Sequence, residues 1–250
     1  GGFTMSAQHA IGIDFGTNSV RALVVDCETG EELGTAVHGY EHGDQGIFTD
    51  SSDPNLARQH PRDYLTGLKA AVGEAMAAAK EKGAKATTVV GIGVDTTGST
   101  PIPVDKDGQP LAFQEKFANN MNAMAWLWKD HTAHEEAAKI TELAATKRPE
   151  YLARCGGTYS SEWFWSKILH CYNVDREVFD AAHSWVECAD FIPGWLCANM
   201  EPDSVRRGVC PAGHKAMYAM DWGGLPDEAF LKELAPELGE LRGRLYDLAY

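Results

Sequence analysis

Residues 12–21 read Gly-Ile-Asp-Phe-Gly-Thr-Asn-Ser-Val-Arg. A carboxylate, Asp14, closes an apolar run. Gly16, Thr17, Asn18 and Ser19 then turn the chain, and Arg21 follows. This order suits phosphate and metal. Gly16 lets backbone approach a ligand closely. Thr17 and Ser19 supply hydroxyls, and the N–H groups of such a turn can converge on an anion. Asp14 is placed to hold Mg²⁺, directly or through water, and so to offset polyphosphate charge. Arg21 adds a fixed positive charge beside the same turn. The bland alternative is a hairpin with an Asp cap. The chain has no Gly-x-x-x-x-Gly-Lys-Ser/Thr and no Gly-x-Gly-x-x-Gly after a strand, which excludes a P-loop and disfavours a Rossmann dinucleotide site.

A second segment, Gly91-Ile92-Gly93-Val94-Asp95-Thr96-Thr97-Gly98-Ser99-Thr100-Pro101, places small residues and hydroxyls after another apolar run. In open α/β sheets ligands bind at such carboxyl ends of strands, although a plain strand-to-loop transition would look similar. Trp128-Lys129-Asp130-His131-Thr132-Ala133 leads into helical patterning. His131 and His134 have ligand-like spacing, but no other His or Cys pair supports a metal there. Tyr159-Ser160-Ser161-Glu162-Trp163-Phe164-Trp165 offers Ser160 or Ser161 as a helix cap. Arg206, Arg207, His214 and Lys215 cluster in an otherwise acidic chain, where a solvated loop is the ordinary explanation.

The elements that must carry these residues are legible in outline. Three short strands are predicted over 10–15, 20–26 and 31–38, with turns between them. Residues 41–60 read as irregular. Pro61 opens a helix, an apolar stripe runs from Tyr64 to Ala79, and Gly83 ends it. Residues 89–94 are a near-continuous apolar run, expected to be a strand buried on both faces. Helical patterning follows over 121–147, 161–171 and 186–198. All seven tryptophans fall between Trp126 and Trp222. They either fill a core, the favoured account, or line an apolar wall of a ligand cleft.

The 250 residues are enough for one large domain or two small ones. With 44% hydrophobic and 23% charged residues, wholesale disorder is excluded. A net charge of −14 argues against nucleic acid and against anionic membrane surfaces. No apolar run is long enough to span a bilayer, and no secretory signal is present. The six cysteines form no Cys-x-x-Cys pair and read as free thiols of a reducing cytoplasm. Gly1-Gly2-Phe3-Thr4 before Met5 reads as a cloning remnant. Residues 1–9 are set aside as that remnant and a disordered start, with the domain spanning 10–250.

Taken in order, Asp-x-Gly-Thr-x-Ser, Asp-Thr-Thr-Gly-Ser-Thr-Pro, Leu-Trp-Lys-Asp-His-Thr-Ala, Tyr-Ser-Ser-Glu-Trp-Phe-Trp, Arg-Arg-Gly-x-x-x-Ala-Gly-His-Lys and Trp222-Gly223-Gly224-Leu225-Pro226 resemble the N-terminal half of the FGGY family of carbohydrate kinases. Within that family they resemble the ribulokinase branch. Glycerol kinases differ, carrying Arg-Glu where this chain has Thr97-Gly98. The resemblance implies an α/β chain of the actin-like, ribonuclease H-like fold: the N-terminal FGGY domain with a helical insertion. It implies ATP-dependent phosphorylation of L-ribulose to L-ribulose 5-phosphate in L-arabinose catabolism, with ATP and Mg²⁺ as cofactors. Asp14 would organise the metal. Thr17, Asn18, Ser19 and Arg21 would approach the phosphates, and Thr97, Gly98 and Lys215 the ketopentose. The catalytic base is expected downstream of Tyr250, in a C-terminal nucleotide-binding half that is the chain's natural partner. The chain alone is therefore expected to be inactive. The resemblance also admits a homodimer and a cytoplasmic location. The alternatives are a kinase of another pentulose and a non-catalytic actin-fold sugar-binding module.

Overall fold

The computed structural model describes residues 7–250, so the cloning remnant, and the expected disordered start up to residue 6, lie outside the described residues. Two compact units emerge. One runs to Ile47 and resumes over Arg62–Thr97, and the other comprises Phe48–Pro61 and Gly98–Tyr250.

In the first unit, period-2 alternation builds a meander of β1 (His9–Phe15), β2 (Ser19–Asp26) and β3 (Glu32–Gly39). The helix α1 (Pro61–Glu81) follows, then β6 (Val89–Thr96), which pairs parallel to β1. The sheet order is β3-β2-β1-β6. Pro61 sits at the first position of α1, where its missing N–H costs nothing. Tyr64, Leu68, Ala71, Ala75 and Ala79 form one buried stripe. The stripe packs on Ile11, Ile13, Phe15, Val20 and Val24, which project from one sheet face. Tyr64 meets the Phe15 and Tyr40 rings edge-on at 6.3 and 5.7 Å. Alanines on the helix and glycines at the contacts bring the layers close. A Cβ on Gly34 would lie 2.2 Å from the Ala75 carbonyl oxygen, and one on Gly67 would lie 2.8 Å from a Val20 methyl.

The expectation for β6 needs correction. Its apolar run is not buried on both faces, since Val90 and Ile92 are 60% and 51% exposed. The reason is position. Among the described residues β6 is an edge strand, and the α1 contacts named above fall on β1, β2 and β3.

The second unit is richer in helix. Residues 41–60, read as irregular, contain β4 (Phe48–Asp50) and β5 (Asp53–Gln59). They join β8 (Ala125–Trp126) in a three-stranded antiparallel sheet. Their pairing partner lies far along the chain, as in Arg58↔Trp126, where local pattern gives no signal. A two-stranded ribbon pairs β7 (Pro101–Val104) with β9 (Ser184–Glu187). Around these lie α2 (His134–Lys147), α3 (Pro149–Ala153), α4 (Phe164–Val174), α5 (Arg176–Ala181), α6 (Cys188–Leu196), α7 (Val209–Lys215), α8 (Glu228–Leu234) and α9 (Pro236–Arg242). Two helical expectations shrink. Residues 121–133 form a 3₁₀ turn at Met121–Ala123, β8 and turns rather than α-helix, and residues 186–187 belong to β9 (Ser184–Glu187), whose Trp185 and Val186 are buried. The predicted serine cap is also corrected. Trp163 precedes α4 without a side-chain cap, and Ser160 instead accepts from the Glu162 N–H in the preceding turn. Trp126, Trp165 and Trp185 are fully buried in one core with Phe164, Ile168 and Leu231, the core-filling role that aromatics usually take.

The Gly34 contact generates a stability test. Gly34→Ala should destabilise by roughly 1–3 kcal/mol, because the added methyl meets helix backbone that cannot swing aside. Gly73→Ala, on α1 where a Cβ meets nothing within 4 Å, should stabilise by up to about 1 kcal/mol through helix propensity. Urea unfolding of the two variants should move their midpoints in opposite directions.

Candidate active site

The parallel pairing of β1 with β6 sets Asp14 opposite Asp95. Register partners on neighbouring strands project from the same face, about 4.8 Å apart in backbone spacing. The antiparallel pairing with β2 adds Arg21 opposite Asp14 on its other side, and Arg21 Nη1 donates to Asp14 Oδ2 at 3.1 Å. All three sit beside the 16–19 turn. That turn is fixed by Gly16 N–H donating to the Ser19 carbonyl at 2.9 Å and by the Tyr40 hydroxyl donating to the Gly16 carbonyl. Thr97 N–H donates to the Phe15 carbonyl, which ties the end of β6 to the end of β1. An open depression of about 450 Å³ results, lined by Asp14, Gly16, Thr17, Asn18, Ser19, Arg21, Asp95, Thr96 and Thr97. Its donors are carboxylate and hydroxyl oxygens, which suit a hard cation. Two carboxylates fit Mg²⁺, which keeps several waters and shares its remaining sites with phosphate oxygens. Among the described residues no group of three or more His, Cys, Asp or Glu could form an all-protein cage.

The second unit holds Gly98 and Lys215. Gly98 is exposed, and a Cβ there would meet nothing within 4 Å. The chain turns inward at once, since Ser99 and Thr100 are fully buried. Ser99 Oγ donates to Glu187 Oε1 at 2.5 Å, and Thr100 N–H donates to Glu187 Oε2 at 2.7 Å. Lys167 Nζ donates to the carbonyls of Ser99, Trp126 and Leu127 at 3.0, 3.2 and 2.8 Å. Lys215 ends α7, and its backbone is pinned by the aromatic motif. The Tyr159 hydroxyl donates to the Lys215 carbonyl at 2.5 Å while accepting from Trp165 N–H, and Trp165 Nε1 donates to the Ala216 carbonyl. The Lys215 ammonium lies 5.6 Å from the Trp163 ring centroid, within cation–π range. At the other end of α7, Asp190 Oδ1 accepts from Gly208 N–H.

Burial dominates the electrostatics of this unit. It holds the Lys167 ammonium well below the usual lysine range. It raises Glu187, against the opposing pull of Ser99, Thr100, Lys167 and Lys215. The field of Lys215 acts on both groups, so these three charges share one neighbourhood. Burial also lifts Asp190 to about 7, opposed by the Gly208 N–H and by Arg207.

Within the first unit the structure brings together Asp14, Thr17, Asn18, Ser19, Arg21 and Thr97. The Asn18 side chain donates to the Gln45 carbonyl, so it braces the neighbouring loop. Within the second unit Gly98 precedes Ser99, which bonds Glu187 and Lys167, and the charge of Lys215 acts on those same two residues. The basic cluster divides: Arg207 is 2% exposed and donates to the Trp185 carbonyl, whereas His214 is exposed. His131 contacts Ser161 Oγ at 3.1 Å. Sequence reasoning assigned no role to Asp95, Glu187 or Lys167. A signal for Asp95 existed, since Gly93-Val94-Asp95 repeats the pattern of Gly12-Ile13-Asp14. Glu187 and Lys167 were visible as single charges inside apolar runs, Ser-Trp-Val-Glu-Cys-Ala and Phe-Trp-Ser-Lys-Ile-Leu.

The model of the FGGY family of carbohydrate kinases, N-terminal domain, matches residues 9–205. A protein named ribulokinase from Vibrio parahaemolyticus is 46% identical over 240 residues, covering 96% of this chain and 42% of that protein. A ribulokinase from Shouchella clausii is 40% identical, covering 94% of this chain and 41% of that protein. The chain thus spans less than half the length of these curated relatives. Among solved structures, xylulose kinase from Bifidobacterium adolescentis superposes with a TM-score of 0.71 at 13% identity, over 96% of this chain and 47% of that one. That likeness speaks for the fold, the actin-like fold of the sugar kinases.

Asp190 gives this unit a pH dependence. The unfolded chain ionises it near 3.8 and the folded chain near 7. Between those values the folded state holds the extra proton, so stability falls as pH rises, and the loss is complete above 7. Asp190→Asn keeps an acceptor for Gly208 N–H and removes the buried charge. It should flatten the decline between about pH 4 and pH 7, recovering a few kcal/mol at roughly 1.4 kcal/mol per pH unit. Thermal melts of both proteins across that range would show an unchanged slope if Asp190 does not titrate there.

Proposed function

Because the chain belongs to the FGGY family of carbohydrate kinases, we propose that it is the sugar-binding half of an enzyme that phosphorylates L-ribulose with ATP to give L-ribulose 5-phosphate, a cytoplasmic step of L-arabinose catabolism. The observation that carries the proposal is the register of Asp14 with Asp95 beside a turn of hydroxyls. The 46% identity with a ribulokinase points to the sugar. The nucleotide-binding half and the catalytic base belong to the further length that the relatives possess.

Asp14 and Asp95 would hold Mg²⁺, which when bound neutralises charge on the polyphosphate. Thr17 and Ser19 donate hydroxyl hydrogen bonds to phosphate oxygens, and Gly16 allows their backbone to come close. Arg21 is paired with Asp14 on an exposed surface, where such a pair is worth about 1 kcal/mol or less. The guanidinium can therefore leave the carboxylate for a phosphate at small cost. Asn18 holds the turn against the Gln45 carbonyl. In the other unit, Lys215 donates to sugar oxygens, an ammonium having three donors and no acceptor. Gly98 leaves room for a ligand at the backbone, and Thr97, the last residue of the first unit, offers a further hydroxyl.

The test uses the full-length enzyme that carries this chain, assayed for ATP-dependent phosphorylation of a panel of ketopentoses, with L-ribulose the preferred acceptor. Asp14→Asn should lower turnover by roughly 10²-fold or more, the scale of a lost electrostatic stabiliser, while the melting temperature barely moves. Large destabilisation with activity retained would make Asp14 a structural cap. Lys215→Ala should cost about 1.5–3 kcal/mol in kcat/KM for the ketopentose, the range for a hydrogen bond to a charged group. The KM for ATP should change far less, and equal effects on both substrates would remove Lys215 from the sugar site.

A further inference from the structure

We propose that Glu187 and Lys167 are positioning residues for the sugar, clamping the single peptide unit that joins Ser99 to Thr100 and so fixing the backbone at Gly98. This rests on the kinase function proposed above, for which Gly98 is a sugar contact.

Glycine at position 98 has no side chain to anchor it, is exposed, and has open space where a Cβ would stand. Its conformation must be imposed by its neighbours. The Ser99–Thr100 peptide unit, one residue further on, supplies the constraint. Its carbonyl, that of Ser99, accepts from the Lys167 ammonium at 3.0 Å, and its N–H, that of Thr100, donates to the Glu187 carboxylate at 2.7 Å. A trans peptide unit carries a dipole of roughly 3.5 D between these two groups. Here the cation sits at its negative end and the anion at its positive end. Ser99 Oγ adds a third bond to the same carboxylate at 2.5 Å, and the Thr100 carbonyl accepts from Cys188 N–H at 3.0 Å. Every group in the clamp is buried, Ser99, Thr100 and Lys167 at 0% and Glu187 at 4%. Water cannot relax it, and hydrogen bonds to ionised groups are the strong ones.

The clamp is stiff at both jaws. Lys167 also donates to the Trp126 and Leu127 carbonyls, and it lies in α4 between Trp165 and Ile168 of the core. Glu187 ends β9, where it is the register partner of Pro101. Two buried charges cost several kcal/mol each in desolvation, and an apolar pair of similar volume would give equal or better stability. Stability alone does not account for them. Placing a side-chain-free backbone next to a ligand does.

In the full-length enzyme Ser99→Ala, Glu187→Gln, Glu187→Ala and Lys167→Met would be compared for kcat, for KM toward L-ribulose and toward ATP, and for melting temperature. Ser99→Ala removes one bond without altering shape and should raise the ketopentose KM roughly tenfold, the size of one hydrogen bond to a charged group. The KM for ATP should stay unchanged. Glu187→Gln retains an acceptor for Thr100 N–H and should cost less than Glu187→Ala. A purely structural role predicts lower melting temperatures with the wild-type ketopentose KM in the folded fraction, and that result for Ser99→Ala and Glu187→Gln overturns the clamp. Should Glu187→Ala or Lys167→Met fail to fold, Ser99→Ala and Glu187→Gln still decide. Failure of the functional proposal looks different: the unaltered enzyme would phosphorylate no ketopentose. The same variants, read against whichever polyol it does accept, then decide the clamp separately.

Discussion

The parallel pairing of β1 with β6 is the constraint on which the first unit depends. It joins strands separated by a meander and a complete helix, so its loop closure is costly and gains nothing until both strands are in place. It also leaves no freedom of register. A slip of one residue on β6 would turn Asp95 to the face packed by α1 and bring Val94 or Thr96 opposite Asp14 in its place. The helix enforces the correct choice by covering Ile11, Ile13 and Phe15 of β1, which leaves Gly12 and Asp14 on the open face. Gly12 and Gly93 are partners on that face, and neither obstructs the approach to the carboxylates. The site is therefore a consequence of which sheet face is buried.

The meander, the helix and the second apolar strand are legible in the sequence because each signal is local: alternation, a stripe with Pro61 at its head and Gly83 at its tail, and a run of Val and Ile. The phosphate-type turn is legible for the same reason. What fails is what depends on distant partners. β5 contains Pro54 and polar residues and becomes a strand only through pairing with β4 and β8. The run at 89–94 has the composition of a doubly covered strand, yet composition cannot say whether a covering element is present. Val186 and Glu187 read as helix because a short apolar run does not distinguish helix from strand. The three residues missed at the site are of one kind. Asp95, Glu187 and Lys167 matter through what they face, and facing is a property of register and packing.

The two units handle charge in opposite ways. In the first, Asp14 and Arg21 are exposed and paired at 3.1 Å. Water screens them, the pair is weak, and either member can exchange its partner for a ligand group. In the second, Glu187, Lys167, Asp190 and Arg207 are buried, with protonation biased by desolvation and positions fixed by backbone hydrogen bonds. Exchangeable charges suit groups that must meet a polyphosphate and a hydrated cation, whose own charges dominate the local field. Fixed charges suit the shaping of a pocket for a neutral polyol, which gives no long-range electrostatic signal and is recognised only by donors and acceptors already in place.

Under the proposed function, this division would let an acidic chain meet a nucleotide. A net charge of −14 repels polyphosphate. The depression beside the 16–19 turn would compensate locally, with carboxylates able to hold a cation and one arginine that can be released. Asp14, Asp95 and Arg21 together carry −1, which a divalent cation would turn to +1, so a bound cation would reverse the sign that a phosphate meets. Occupancy of the turn by a bare anion is disfavoured by Asp14 and Asp95, and occupancy by a bare cation must compete with Arg21 for Asp14. Under the proposed function, such a site would favour the metal–polyphosphate complex over either component, through pairwise charges that the β1–β6 register puts in place.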